Sequence, residues 1–264
     1  MNLLSGRQRF SAQWLLVTIG LLLLCMGLNS CSIPTQASNT KSTDPELEAK
    51  VLQIIRNNPQ IVLESVQAYQ KEKQEKQQQA QKEFVEGMKA NPKSVIGESP
   101  ATGAKAQNIV LMEFSDFQCP YCAKAHQTLK QFMAKNQDKV TLVYKHLPLT
   151  QIHAEAMPAA KAAWAAGQQG KFWEFQDALF SQQEKLAEPL YVATAKSLNL
   201  DLKKFDEARK SKAADEAIQK DVAMAEKLGI NGTPFLIMNG QPISGGAQVA
   251  ELEALLAQVS KPSK

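Results

Sequence analysis

Glycine and proline are sparse, 13 and 12 of 264 residues, which argues against an all-β chain built on many tight turns. Cysteine is scarcer still, at four. A small secreted scaffold held by disulfides needs several pairs, so that class is excluded. An excess of one charge is also missing. The formal charge is +4 with both signs interspersed, and nothing calls for a nucleic-acid partner. There is no internal repeat and no G-x-x-x-x-G-K-[ST], G-x-S-x-G or H-E-x-x-H. Hydrolase and nucleotide-binding readings therefore have no residues to stand on.

What is present begins with a basic, acid-free start, Arg7 and Arg9, followed by an uncharged run from Trp14 to Leu28. That pattern fits an export signal over 1–30, and the run is short for a membrane-spanning helix. "LNSC", Leu28 to Cys31, closes the run and resembles the lipobox of bacterial lipoproteins, which implies lipid attachment at Cys31. The alternative is an uncleaved anchor with Cys31 unmodified. Both place the remainder outside the cytoplasm on a membrane tether. Cys25 lies in the signal, so Cys119 and Cys122 are the cysteines left to the mature chain.

Residues 31–43 are small and polar and read as a flexible linker. Residues 44–92 read as a helical segment. Asp44 caps, Pro45 opens the first helix, Asn58 and Pro59 start a second. Leu47, Val51, Ile54 and Ile55 share a face, and Ile61, Val62, Leu63, Val66 and Tyr69 continue the apolar content. From Gln70 to Glu83 only Ala80 is apolar, the pattern of a helix bridging solvent. So few apolar residues make no core alone. They either fold back on the main domain or self-associate, and a sustained coiled coil is not supported, because Lys73 and Lys76 fall where Val62, Val66 and Tyr69 predict seam positions. "NPKSVIGESPATG" reads as a boundary loop.

From Ile109 the pattern changes. "IVLMEF" is a buried strand, a helix follows from about Cys119 to Lys135, and "KVTLVYKHL" is a second strand. This alternation argues for an α/β fold with a parallel sheet. Residues 151–228 predict three or four helices. Phe235 to Met238, the turn Asn239-Gly240 and Pro242 to Ser244 predict a hairpin, and 247–259 a closing helix. Trp164, Phe172 and Trp173 are expected in the core.

"SDFQCPYCAKAH" carries the chemistry. A strand, a short loop, Cys-x-x-Cys and a helix place Cys119 at a helix N-terminus, where unpaired N–H groups and the macrodipole favour a thiolate. Pro120 suits the first turn, and Cys122 lies one turn inward, within reach of a mixed disulfide. The pair closes almost no loop, so it is a poor staple. His126 completes three borderline ligands in eight residues. A zinc site needs a fourth group or water, and no second cysteine pair exists, so no metal is expected and His126 is expected on the helix surface.

"LMEFSDFQCPYC" resembles the thioredoxin superfamily, in particular its DsbA-like branch. "GTPF", residues 232–235, resembles that branch's cis-proline loop, and "GKFWEFQDALF" a recurrent stretch of its inserted helices. The resemblance covers about 94–260. It implies a thioredoxin fold (first part 93–150, second part 229–264) with an inserted helical domain at 151–228, preceded by the N-terminal helical segment. It implies Cys119 as nucleophile, Cys122 as resolving thiol, Pro120 and Tyr121 as the redox linker, and Thr233 and Pro234 as the substrate-binding loop. Glu113 matches a buried acid that relays the Cys122 proton; it could also sit at a water-facing strand end. Lys145 could pair with Glu113, although a solvated strand end is the plainer expectation, and His153 matches a structural histidine. No cofactor is implied beyond the Cys119–Cys122 disulfide itself.

The implied function is extracytoplasmic thiol–disulfide exchange. The partners would be unfolded or misoxidised exported proteins and a membrane redox protein. Residues 44–73 resemble the N-terminal domain of ScsC-type proteins, which implies a homo-oligomer. A different class stays open: a tethered holdase, or a metal-buffering or redox-sensing protein without turnover.

Overall fold

The computed structural model describes residues 44–261. The expected export signal, the linker and Cys31 lie outside the described residues. Two compact units divide between Val62 and Leu63.

In the first unit, α1 (Pro45–Asn57) is capped by the Asp44 carboxylate, which accepts from the Glu46 N–H at 3.0 Å. Glu46 and Glu48 occupy its positive end. The Asn58 side-chain amide donates to the Ile54 carbonyl at 2.8 Å, and Pro59 opens α2 (Pro59–Ala90). Leu47, Val51, Leu52, Ile54 and Ile55 are all exposed.

In the second unit, the C-terminal part of α2 is not a free solvent bridge. Met88 is buried, with Phe84 packed beside it. The Gln77 and Gln81 side-chain amides donate to the Leu228 carbonyl at 3.3 and 2.8 Å. The polar stretch 70–83 itself holds no buried residue, as its composition implies, but it does not cross solvent unattached, because its glutamines bond a carbonyl that the end of another helix leaves free. Folding back holds here for the residues around Met88, while Leu63, Val66 and Tyr69 stay exposed.

The sheet has five strands in the order β1 (Ala101–Gly103), β3 (Val140–His146), β2 (Ile109–Ser115), β4 (Phe235–Met238), β5 (Gln241–Ile243). Only β2 and β3 are parallel; the other pairs are antiparallel, so the sheet is mixed rather than parallel. β1 and a short helix, α3 (Pro92–Ile96), lie in the stretch read as a loop. β1 is too short to show a period and is held by pairing with β3.

Strand alternation sorts the core. Val110, Met112, Phe114 and Val143 face one side, against Ala225 and Leu228. Leu111, Leu142, Leu236 and Met238 face the other, against Leu129 and Phe132 of α4 (Pro120–Asn136) and Leu252 and Leu256 of α10 (Val249–Val259). Between β3 and β4 come five helices rather than three or four: α5 (Ala156–Gly167), α6 (Phe172–Ser181), α7 (Glu188–Ser197), α8 (Leu202–Arg209) and α9 (Lys212–Leu228), with a 3₁₀ turn at Gln183–Lys185. Asp201 and Ser211 cap α8 and α9, dividing a composition that reads as continuous. Buried alanines of α5 admit Phe175, Leu179, Tyr191 and Phe205, with Phe172 buried and Trp164 and Trp173 partly so. α9 ends at Gly229, left-handed at φ 74°. Among the described residues no helix is long and apolar enough to cross a membrane.

Candidate active site

Cys119 is the N-cap of α4, with extended backbone at φ −74°, and Pro120 begins the helix. The Cys122 and Ala123 amides donate back to the Cys119 carbonyl at 3.0 and 3.2 Å, so the first turn wraps around the cysteine. Its thiol is only 4% exposed and lies 3.4 Å from the Thr233 carbonyl. The Thr233–Pro234 bond is cis. The neighbouring Cys122 thiol, then the Thr233 hydroxyl and the Cys122 and Tyr121 amides, hold the Cys119 pKa down to about 5 against the opposing effect of burial. Tyr121, between the cysteines, is 67% exposed.

Cys122 has the opposite environment. It is fully buried, and burial first, then Cys119 and the charge of Glu113, push its thiol up. The Asp116 N–H donates to its sulfur at 3.5 Å. One sulfur is thus prepared as a thiolate and the other as a thiol.

Glu113 is not at a water-facing strand end. It is 1% exposed, and burial raises its carboxyl to about 7, with the Ser115 hydroxyl opposing in part. It pairs across the sheet with Leu236 of β4 and Tyr144 of β3. Glu113 Oε1, Ser115 Oγ, the Tyr144 hydroxyl and both His146 ring nitrogens are buried without hydrogen-bond partners. Alternation puts these four side chains on one face of the β2–β3 pair, the face carrying Tyr144 beneath Cys122.

The same alternation separates Lys145 from Glu113. Lys145 is 3% exposed rather than solvated, and its ammonium lies 3.2 Å from Asp221 of α9. It also donates to the Ile96 carbonyl at 3.1 Å and the Ser99 hydroxyl at 2.8 Å. Asp221 in turn accepts from the His146 N–H at 3.0 Å. His126 is likewise not on the surface. It is 5% exposed, with Nε2 2.9 Å from Asp177 of α6 and its ring stacked on Phe180. The inserted helices cover the face of α4 that an isolated helix would expose. Among the described residues no group of three or more His, Cys, Asp or Glu side chains is placed to hold a metal ion.

Several positioning residues escaped the sequence reading. Asp116 accepts from the Gln118 N–H at 2.8 Å, the Leu149 N–H at 3.0 Å and His153 Nδ1 at 2.7 Å, tying the cysteine loop to the segment after β3. Gln183, in the 3₁₀ turn, donates from Nε2 to the carbonyls of Phe117 and Cys119 at 2.7 and 2.8 Å. Gly245 backs the cis-proline loop; a Cβ there would lie 2.3 Å from the Pro234 carbonyl oxygen. Asp116 adjoins the motif and could have been singled out; Gln183 and Gly245 carry no local signal.

A mixed sheet with a helical insertion, a Cys-x-x-Cys at a helix N-terminus and a cis-proline loop over it together define a thiol-active fold of the thioredoxin class. The family model described as thioredoxin matches residues 94–258, and the chain belongs to that family. Among solved structures it resembles a thioredoxin-like oxidoreductase from Silicibacter pomeroyi, at 28% identity and TM-score 0.60, covering 66% of this chain and all of that one. The thiol-disulfide exchange protein alpha-DsbA2 from Wolbachia pipientis is similar at 19% identity and TM-score 0.60, over 68% of this chain and 97% of that one. Proteus mirabilis ScsC is similar at 23% and 0.57, over 81% and 95%. The latter two likenesses show the fold alone. A curated relative, the Na(+)/H(+) antiporter NhaA 3 of Salinispora tropica, is 34% identical over 152 residues, which is 58% of this chain but 23% of that protein. The chain thus spans about a quarter of the length of the curated relatives it matches.

Proposed function

We propose that the protein is an extracytoplasmic thiol–disulfide oxidoreductase that forms or rearranges disulfides in exported proteins through Cys119 and Cys122. The observation that carries this reading is the asymmetric placement of the two sulfurs: Cys119 at the α4 N-terminus 3.4 Å from the Thr233 carbonyl of the cis-proline loop, Cys122 fully buried one turn inward near the buried Glu113.

In the oxidising direction a substrate thiolate attacks Cys119 Sγ of the Cys119–Cys122 disulfide. Cys122 leaves and takes a proton from Glu113. A second substrate thiolate then attacks the substrate sulfur of the mixed disulfide and expels Cys119, which leaves readily because its thiolate is stable. The substrate loses two electrons and the protein gains them. Reversing each step reduces a substrate, and alternating the two rearranges one. The Thr233–Pro234 backbone is suited to hold substrate in strand-like pairing, with Pro120 and Tyr121 tuning the pair.

Cys119→Ala is expected to abolish refolding of a scrambled disulfide substrate; an unchanged rate overturns the reading in favour of a holdase or redox sensor. The reduction potential assigns direction. A value near about −120 mV means the disulfide is donated, and one near about −200 mV or lower favours isomerisation or reduction. The natural partners on this reading are unfolded or misoxidised exported proteins and a membrane redox protein, met at a membrane to which lipid on Cys31 tethers the chain. The exposed apolar residues of α1 favour self-association.

A further inference from the structure

The cis-proline loop, Ile230 to Pro234, brings the Thr233 carbonyl to 3.4 Å from the Cys119 thiol, and α2 holds the chain at both ends of it. Before the loop, α9 closes at Leu228, whose carbonyl accepts from the Gln77 and Gln81 amides at 3.3 and 2.8 Å. Gly229 follows in left-handed backbone, and a Cβ on it would collide with the Gln77 amide. After the loop, β4 runs from Phe235 into the turn at Asn239 and Gly240. Val85 sits so close to that turn that a Cβ on Gly240 would lie 2.8 Å from Val85 Cγ1. Between the two points, Met88 is buried in one core with Leu228, Ile230 and Ile237, and Phe84 and Phe235 pack against that core. Gln77, Gln81, Phe84, Val85 and Met88 recur at three- and four-residue spacing, so a single stripe of α2 makes all of these contacts.

We propose that this stripe of α2 is a splint that sets the cis-proline loop against Cys119, with Gln77 and Gln81 as positioning residues for an extended substrate. The proposal deepens the function proposed above and rests on it. A substrate paired with the Thr233–Pro234 backbone can be attacked only if the loop already lies where pairing and sulfur contact are satisfied together. In that step a substrate thiolate attacks Cys119 Sγ. The Cys119–substrate S–S bond forms as the Cys119–Cys122 bond breaks, and Cys122 leaves with the electron pair and gains a proton. The loop is short and contains Gly232, so freedom at either anchor spreads into it. Gln77 and Gln81 act through Leu228 rather than on the sulfurs. A small thiol makes no strand pairing and therefore has no use for the splint.

The decisive variant is Gln77→Met with Gln81→Met, which keeps the side-chain length and removes both donors. Gln74→Met with Gln78→Met, at exposed positions of the same helix, is the control. The first readout needs no turnover: amide hydrogen exchange across 230–238, followed by mass spectrometry. Exchange is expected to be about tenfold faster in Q77M/Q81M, within what two neutral hydrogen bonds supply, and unchanged in the control. Equal exchange in Q77M/Q81M and wild type overturns the splint. The second readout is stopped-flow reduction of the Cys119–Cys122 disulfide by an extended cysteine-containing peptide and by free cysteine. The peptide rate is expected to fall about tenfold in Q77M/Q81M while the free-cysteine rate stays within about twofold. Equal loss with both thiols, or loss with neither, overturns the positioning role. Gln77→Met with Gln81→Lys returns a donor to the helix-end carbonyl and is expected to restore most of the peptide rate. A rate left at the Q77M/Q81M level removes the glutamine bonds from the proposal. A wild-type disulfide that reacts with neither thiol defeats the functional reading, and the hydrogen exchange still decides the splint.

Discussion

At Cys119 the competition is between burial, which disfavours a thiolate, and the Cys122 thiol, the Thr233 hydroxyl and helix-start amides, which favour it; the second group wins. Cys119 should therefore alkylate with a midpoint near pH 5, measured by iodoacetamide trapping, and a midpoint near the ordinary 9.0 would remove the asymmetry argued above. The sign for stability follows. The reduced folded chain holds the thiolate at pH values where the unfolded chain binds a proton, so this contribution is full above 9.0 and is lost as pH falls through about 5. Glu113 runs the other way. Its folded value of about 7 exceeds the ordinary 4.5, so its ionisation costs stability increasingly across that window and nothing below it. Glu113→Gln should stabilise the protein above pH 7 by about 3 kcal/mol, at roughly 1.4 kcal/mol per pKa unit, and leave it unchanged near pH 4. Urea melts at the two pH values test this, and equal gains at both would show that relief of a buried charge is not the cause.

Among the elements, the sequence made those with strong local signals legible: α1 and α2 by Asp44, Pro45 and Pro59, β2 by its apolar run, α4 by Pro120 and the cysteine pair. It did not reveal β1, whose strand character comes from pairing with β3, or the division of the insertion into five helices. Of the site, the chemistry-bearing residues were legible because a thiolate at a helix start needs a fixed local order. Their supports were not, because Gln183 and Gly245 act across long chain separations. Lys145 is the sharpest case. The sequence shows a lysine near a strand end, but which face it takes and that Asp221 of α9 awaits it are tertiary facts. That ion pair joins α3, β3 and α9, since Lys145 also bonds the Ile96 carbonyl. Lys145→Met leaves Asp221 charged and buried and should cost about 3–5 kcal/mol in urea unfolding, whereas Lys145→Met with Asp221→Leu should recover much of it. A double variant as unstable as the single one would mean that the hydrogen bonds to Ser99 and the His146 N–H, not the charge pairing, hold this joint.

For the molecule as a whole, the question is what the helices before the catalytic body do. A cut placed after α2 would remove more than an appendage. Met88 is 2% exposed in the same core as Val110 and Met112, and Gln77 and Gln81 bond the Leu228 carbonyl, which leads into Gly229 and the cis-proline loop. Along α1 and α2 the exposed large apolar residues, by contrast, end at Tyr69. Association and catalytic integrity should therefore separate at that boundary. The chain from Ser32 is expected to be oligomeric by light scattering at micromolar concentration, because an α1 stripe holding Leu47, Val51, Ile54 and Ile55 buries apolar surface only against another surface like it. Deletion of 44–69 is expected to give a monomer whose Cys119 alkylation midpoint and urea stability match the parent. Deletion of 44–90 is expected to give a monomer that is less stable by about 2–5 kcal/mol, the cost of removing a fully buried methionine and its neighbours. A monomeric parent would show that the α1 stripe has no self-partner. Equal stability of the two deletions would show that the glutamine clamp and Met88 do not support the cis-proline loop.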